Sequence, residues 1–213
     1  MYHFQYVLKK EIAPLKNQII ELIGFVQDDV RELFTFQYKF IGSVKRNMVT
    51  YDVKSNIGFD FDLNITVNDD DEYYSAKEIK SILMRAFNKY THKYHYDFCE
   101  NSTRVFTIKV KDRKNSQILH SCDFAIVNNY GDNRQEYIRF NKKANTYNWV
   151  EQSYGFYLLP EKIEFCKENS LWTEVRDTYI EKKNRNPDKN KKSRSVFAET
   201  IHQVCQQNGY FGR

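Results

Sequence analysis

Polar and apolar residues alternate without a break through Gly58-Phe59-Asp60-Phe61-Asp62-Leu63-Asn64-Ile65-Thr66-Val67. In an extended strand, alternate side chains point to opposite faces. Phe59, Phe61, Leu63, Ile65 and Val67 therefore form one apolar face, and Asp60 and Asp62 share the other. The apolar face belongs to a core. The acidic face holds two carboxylates roughly 6.5–7 Å apart at the backbone, which repel unless something positive lies between them. A hard divalent cation with a preference for oxygen meets that need. The plain alternative is a solvated outer face, which antiparallel sheets tolerate, although Asp is depleted in strands.

The same reading gives the other elements. Ile12, Leu15, Ile19, Ile23, Val26, Val30 and Leu33 recur every three or four residues, which predicts an amphipathic helix over 11–34 with Pro14 tolerated in its first turn. Residues 36–41 read as a short strand ending in Gly42-Ser43, and 44–50 as too short and too polar for a core element. Residues 68–72 read as an acidic loop feeding a helix N-terminus, where negative charge is favoured. Ser75-Ala76-Lys77-Glu78 is a capping-box pattern. It opens a helix with Ile79, Ile82, Leu83, Ala86, Phe87 and Tyr90 on one stripe, ending near 94. Strands over 104–111 and 117–127 form a hairpin, and the second carries Asp123 among apolar residues, where a carboxylate is costly unless paired or metal-bound. A further strand spans 136–140, followed by helices over 160–167, 170–183 and 196–206. The expected fold class is α+β, a mixed sheet flanked by helices and followed by a helical C-terminal part. The expected division is a core over 1–145 and a helical part over 146–213, joined through 145–155.

Composition narrows this picture only a little. The 213 residues are 41% hydrophobic and 16% aromatic, with three prolines and seven glycines, enough for a real core built from regular elements. No apolar run reaches membrane-spanning length and no secretory leader pattern stands at the N-terminus, so a cytoplasmic protein with no membrane partner is expected. Cys99, Cys122, Cys166 and Cys205 are scattered and read as reduced structural thiols; His120 with Cys122 makes no zinc site. The formal charge of +5 is concentrated in 182–194, where seven basic residues stand against Asp188 alone. That run reads as a solvated linker or as a phosphate or nucleic-acid contact.

Gly42-Ser43 at a strand end, Asp60 and Asp62 on the next long strand and Asp123 on a later one form an ordered set. This order resembles the nucleotidyltransferase superfamily that includes DNA polymerase beta. Lys45-Arg46-Asn47 and the Phe-Asp-Phe-Asp-Leu context resemble most the bacterial branch related to oligoadenylate synthase and cyclic GMP-AMP synthase. The likeness covers roughly residues 11–130. It implies transfer of a nucleoside monophosphate from a nucleoside triphosphate to an acceptor hydroxyl, with Mg2+ (or Mn2+) held by Asp60, Asp62 and Asp123, and Asp123 helping to deprotonate the acceptor. It also implies triphosphate contacts at Gly42 and Ser43, with Lys45 or Arg46 adding charge, and a base stacked on Tyr147, Trp149 or Tyr154. The acceptor stays open among a nucleotide, an RNA end, a small molecule and a protein. Val44 after the Gly-Ser pair, Met48-Val49-Thr50 in place of a Gly-Thr, and the long interval from Ser43 to Asp60 depart from the family pattern. The short chain favours a minimal transferase over an oligonucleotide or cyclic-dinucleotide synthase. Two other functions compete: a catalytically silent fold that binds nucleotide or protein, and a metal-dependent nuclease.

Overall fold

Burial follows the alternation closely. In the computed structural model, Phe61, Leu63 and Ile65 are buried while Asp60 on the opposite face is exposed. The structure describes residues 2–55, 57–69, 71–130, 134–152, 158–188 and 190–210. In chain order these form β1 (Phe4–Tyr6), α1 (Lys9–Val30), β2 (Thr35–Ile41), α2 (Gly42–Lys45), β3 (Thr50–Asp52), β4 (Ile57–Asn68) and α3 (Ala76–Tyr90). A 3-10 turn over Thr91–Tyr94 follows, then β5 (Glu100–Asn101), β6 (Phe106–Asp112), β7 (Gln117–Asn129), β8 (Gln135–Asn141), β9 (Thr146–Glu151), α4 (Leu159–Glu168), α5 (Trp172–Arg185) and α6 (Ser193–Gln207). The chain divides into two compact units, one of Met1–Tyr6, Thr50–Ser55 and Ser153–Arg213, the other of Val7–Val49 and Asn56–Gln152.

The larger unit is a seven-stranded mixed sheet ordered β2-β4-β7-β6-β5, with β8 on the far end of β7 and β9 beside β8. β4 and β7 run parallel, and the other pairs are antiparallel. One sheet face is the core. Ile19, Leu22, Ile23 and Val26 of α1 and Leu83 and Phe87 of α3 are buried, as are Phe106, Phe124 and Ile126 of the sheet. Phe87 lies 5.2 Å from Phe106 and 4.5 Å from Phe124, ring centre to ring centre. The capping box of α3 forms as the sequence predicts: Glu78 N–H donates to Ser75 Oγ at 3.3 Å, and Ser75 N–H to Glu78 Oε2 at 2.8 Å. Before it, Asp69 accepts from the backbone N–H groups of Tyr73 and Tyr74. His120 is also core, stacked on Phe59 and 3.0 Å from the Tyr96 hydroxyl, and burial pushes its pKa down to about 4.

The smaller unit contains α4, α5 and α6 with the two-stranded antiparallel pair of β1 and β3. Phe4 N–H donates to Asn184 Oδ1 at 2.6 Å, and the Tyr6 hydroxyl donates to the Arg176 carbonyl at 2.7 Å. The N-terminal strand is thereby tied to α5.

Several expectations change. Met48 and Val49, in the stretch read as too polar for a core, are buried. Residues 146–151, expected in a connecting segment, pair with β8 as a sheet strand. α1 begins at Lys9, so Pro14 sits in its second turn rather than its first. Lys183, within the basic run read as a solvated linker, is buried; its Nζ donates to Thr50 Oγ1 at 2.8 Å and lies 3.7 Å from the centre of the Phe4 ring. Among the described residues no helix is long and apolar enough to cross a membrane.

Candidate active site

Three carboxylates meet on the outer face of the sheet because of strand register. β4 pairs with β7 so that Asp62 stands opposite Asp123 and Asp60 opposite Ser121. Neighbouring parallel strands lie about 4.8 Å apart and direct paired residues to the same face. Asp60, Asp62 and Asp123 therefore form one patch.

The turn after β2 closes on that patch. Ile41 pairs with Asp62, so the next residue, Gly42, lies against the Asp62 side chain. Gly42 has φ of +62°, and a Cβ built there would stand 2.3 Å from Asp62 Oδ2. Both facts require glycine, the first for conformational freedom and the second for space. Ser43 follows in the single turn of α2.

The acids are held unequally. Thr107 of β6, paired with Asp123, donates its hydroxyl to Asp123 Oδ1 at 2.5 Å. Ser121 of β7 donates its hydroxyl to Asp60 Oδ1. Among the described residues Asp62 makes no side-chain hydrogen bond or ion pair. Burial, together with the charges of Asp123 and Asp60, pushes its carboxyl up to about 6, while the Arg46 guanidinium opposes the shift. Burial also raises Asp123; the Thr107 hydrogen bond pulls it back, Asp60 raises it, and Lys109 lowers it.

Of the residues the sequence singled out, Gly42, Ser43, Asp60, Asp62 and Asp123 are thus brought together. Lys45 is exposed, and it is Arg46 whose charge acts on Asp62. Tyr147 stacks on Phe140 with 4.6 Å between ring centres, and its hydroxyl accepts from Asn101 Nδ2 at 2.8 Å. Trp149 lines a different place, a cavity of about 660 Å³ at the N-terminus of α3 with Val67, Tyr73, Ser75, Val127 and Tyr130, to which none of the three acids contributes. Tyr154 lies outside the described residues. In the basic run, Arg185 pairs with Glu181 and Lys191 with Glu199; Lys189 lies outside the described residues.

Sequence reasoning missed Ser121 and Thr107. Their signal was present but faint: each is a hydroxyl on a strand face shared with charged residues, Ser121 two positions before Asp123 and Thr107 in alternation with Lys109 and Lys111.

Among the described residues, no group of three or more His, Cys, Asp or Glu side chains is gathered closely enough to hold a metal ion by itself. The donor set still fits magnesium or manganese. Both prefer carboxylate oxygen, and magnesium is usually held by one or two carboxylates together with substrate phosphates rather than by a complete protein cage. A cation would offset both causes that raise Asp62, its burial and the charges of Asp123 and Asp60.

No known protein family matches the sequence, and no curated protein matches it significantly. Solved structures do match. The Vibrio cholerae DncV cyclic AMP-GMP synthase, a prokaryotic cGAS homolog, aligns over 88% of this chain and 50% of its own, with TM-score 0.56 and 14% identity. The Escherichia coli DncV with 3'-deoxy GTP bound aligns over 93% and 54%, with TM-score 0.56 and 13% identity.

The chain has the fold of the cGAS-like bacterial nucleotidyltransferases.

A third match, the Vibrio cholerae DncV with 3'-deoxy ATP bound, gives TM-score 0.54 at 14% identity over 93% of this chain and 53% of that one. The nucleotidyltransferase fold accounts for the mixed sheet and for the helices that follow it. The chain spans about half the length of the structures it matches.

Proposed function

We propose that this chain is a metal-dependent nucleotidyltransferase that moves a nucleoside monophosphate from a nucleoside triphosphate to an acceptor hydroxyl. The observation that carries the reading is the register that sets Asp123 beside Asp62 and packs Gly42 onto the same carboxylate. Neither a silent module nor a nuclease needs a glycine turn closed against a carboxylate pair. Asp60, Asp62 and Asp123 would hold magnesium or manganese. When bound, the metal supplies Lewis-acid stabilisation of the phosphoryl oxygens and of the attacking and leaving groups.

The chain's own residues have separate tasks. Gly42 lets the backbone come close to the triphosphate, and Ser43 with its neighbouring N–H groups binds the beta and gamma phosphates. Of the two basic residues that follow the Gly-Ser pair, Lys45 and Arg46, it is Arg46 that adds positive charge beside Asp62. Asp123, whose carboxyl is more basic than an ordinary aspartate, takes the proton of the acceptor hydroxyl as its oxygen bonds to the alpha-phosphorus. The bond from the alpha-phosphorus to the bridging oxygen breaks, and pyrophosphate leaves. ATP is a fitting donor, and the DncV structures hold 3'-deoxy ATP or 3'-deoxy GTP. The proposed setting is cytoplasmic, where nucleoside triphosphates are plentiful.

The test is incubation with each labelled nucleoside triphosphate and Mg2+ or Mn2+, following pyrophosphate and labelled product. Release that is abolished in the double variant Asp60→Asn, Asp62→Asn supports the reading. Release that survives in that variant refutes the metal site. Metal-dependent nucleotide binding without turnover identifies a silent module, and cleavage of DNA or RNA without triphosphate identifies a nuclease.

A further inference from the structure

The three acids differ in what holds them. Asp60 and Asp123 each have one oxygen engaged by a hydroxyl from the strand alongside, whereas Asp62 between them has neither oxygen engaged among the described residues. The donors, Ser121 and Thr107, are both buried and stand in register with the carboxylates they serve. A hydroxyl has a single proton to donate, so each of these two is committed to its carboxylate. Thr107 is β-branched, which limits its side chain to few rotamers on a strand, and its Oγ1 lies 2.5 Å from Asp123 Oδ1.

We infer that Ser121 and Thr107 are positioning residues for the divalent cation, each fixing an outer carboxylate so that Asp60 and Asp123 present one oxygen apiece while Asp62 keeps both. This rests on the nucleotidyltransferase reading. The physical basis is general: partners that orient a metal ligand set its rotamer and its free lone pair, and their loss weakens metal binding by roughly 10–100-fold. The arrangement also divides the work. Two oriented oxygens flank a carboxylate that is free to serve both sides, and the rotamers of the outer acids are set before any cation arrives.

Calorimetric titration of the full chain with Mn2+, in the presence and absence of a non-hydrolysable nucleoside triphosphate, tests the inference. Thr107→Val removes the hydroxyl and retains the branched shape; Thr107→Ser restores the hydroxyl; Ser121→Ala removes the second donor. The expected result is Mn2+ affinity about tenfold or more weaker in Thr107→Val and in Ser121→Ala, and recovery to within about threefold of wild type in Thr107→Ser, with circular dichroism showing all variants folded. A role confined to satisfying buried polar groups would lower melting temperature and leave Mn2+ affinity unchanged in the folded protein, which overturns the inference. Asp62→Asn separates the two levels of the argument. If Asp62→Asn abolishes Mn2+ binding while the hydroxyl variants bind normally, the inference fails and the nucleotidyltransferase reading stands. If wild type binds no Mn2+ with or without nucleotide, both fail.

Discussion

One sheet carries two groups of acids, and they behave in opposite ways. Along the β5–β6 edge, Asp97 lies 2.9 Å from both Lys111 and Arg113, and Glu100 pairs with Lys109. Hydrogen bonds from Lys111 and Lys109 hold these two carboxyls below their ordinary range. Further into the sheet, Asp62 and Asp123 are raised, chiefly by burial, with the charge of Asp60 adding to both and that of Asp123 adding to Asp62. Lys109 could have neutralised Asp123, which it does influence, yet its ammonium is paired with Glu100. The edge charges are paired within the fold, whereas among the described residues no salt bridge reaches Asp60, Asp62 or Asp123, the difference expected if the patch awaits a cation.

The largest effect should come from removing the unpaired charge. Asp62→Asn is expected to lower nucleotidyl transfer by roughly a thousandfold, measured as pyrophosphate release, while Asp97→Asn leaves it within about twofold. Equal losses in both variants would erase the distinction between the two groups.

Gly42→Ala should come next. The new methyl meets Asp62 Oδ2 and the backbone must hold a left-handed φ, so stability falls by about 1–2 kcal/mol. Activity should fall by more than that cost explains, because the carboxylate is displaced. Denaturant titration alongside turnover separates the two losses.

The pH dependence of the metal-free protein sharpens the contrast. The folded pKa of Asp62, about 6, lies above the ordinary value of 3.8 expected in the unfolded chain. The group therefore favours the folded state fully below about pH 4 and loses that contribution as pH rises through 6. A gap of about two units corresponds to at most on the order of 3 kcal/mol. Asp62→Asn should accordingly melt several degrees higher than wild type at pH 7 without metal, and the difference should shrink toward pH 4. Asp97 has a lowered pKa, so its contribution runs the other way and is lost on acidification.

The smallest effect belongs to the paired edge. Glu100→Gln is expected to cost less than about 1 kcal/mol in a denaturant titration, since it removes only partly exposed ion pairs to Lys109 and Lys111.

Much of this was legible in the sequence where one residue fixes its neighbours. The alternation from Phe59 to Val67 defined both faces of β4, and the capping box at Ser75 defined where α3 begins. Asp123 could be recognised because a carboxylate interrupts an apolar strand. What local pattern does not encode is register. That Thr107 meets Asp123 and Ser121 meets Asp60 depends on how strands distant in sequence align, and a lone threonine or serine gives no periodic signal. β1 and β3 were missed for a similar reason: three-residue strands carry too little alternation, and they are held through partners such as Asn184 and Lys183, far along the chain.

The central claim is that the patch of Asp60, Asp62 and Asp123 binds metal and triphosphate together beside Gly42-Ser43. A crystal of the protein grown with Mn2+ and a non-hydrolysable nucleoside triphosphate tests it most directly, read by anomalous scattering at the manganese edge. The account predicts a manganese peak within coordination distance of Asp62, about 2.2 Å from a carboxylate oxygen, with the triphosphate reaching Ser43. Manganese or nucleotide bound elsewhere, with the three carboxylates bare, would contradict it.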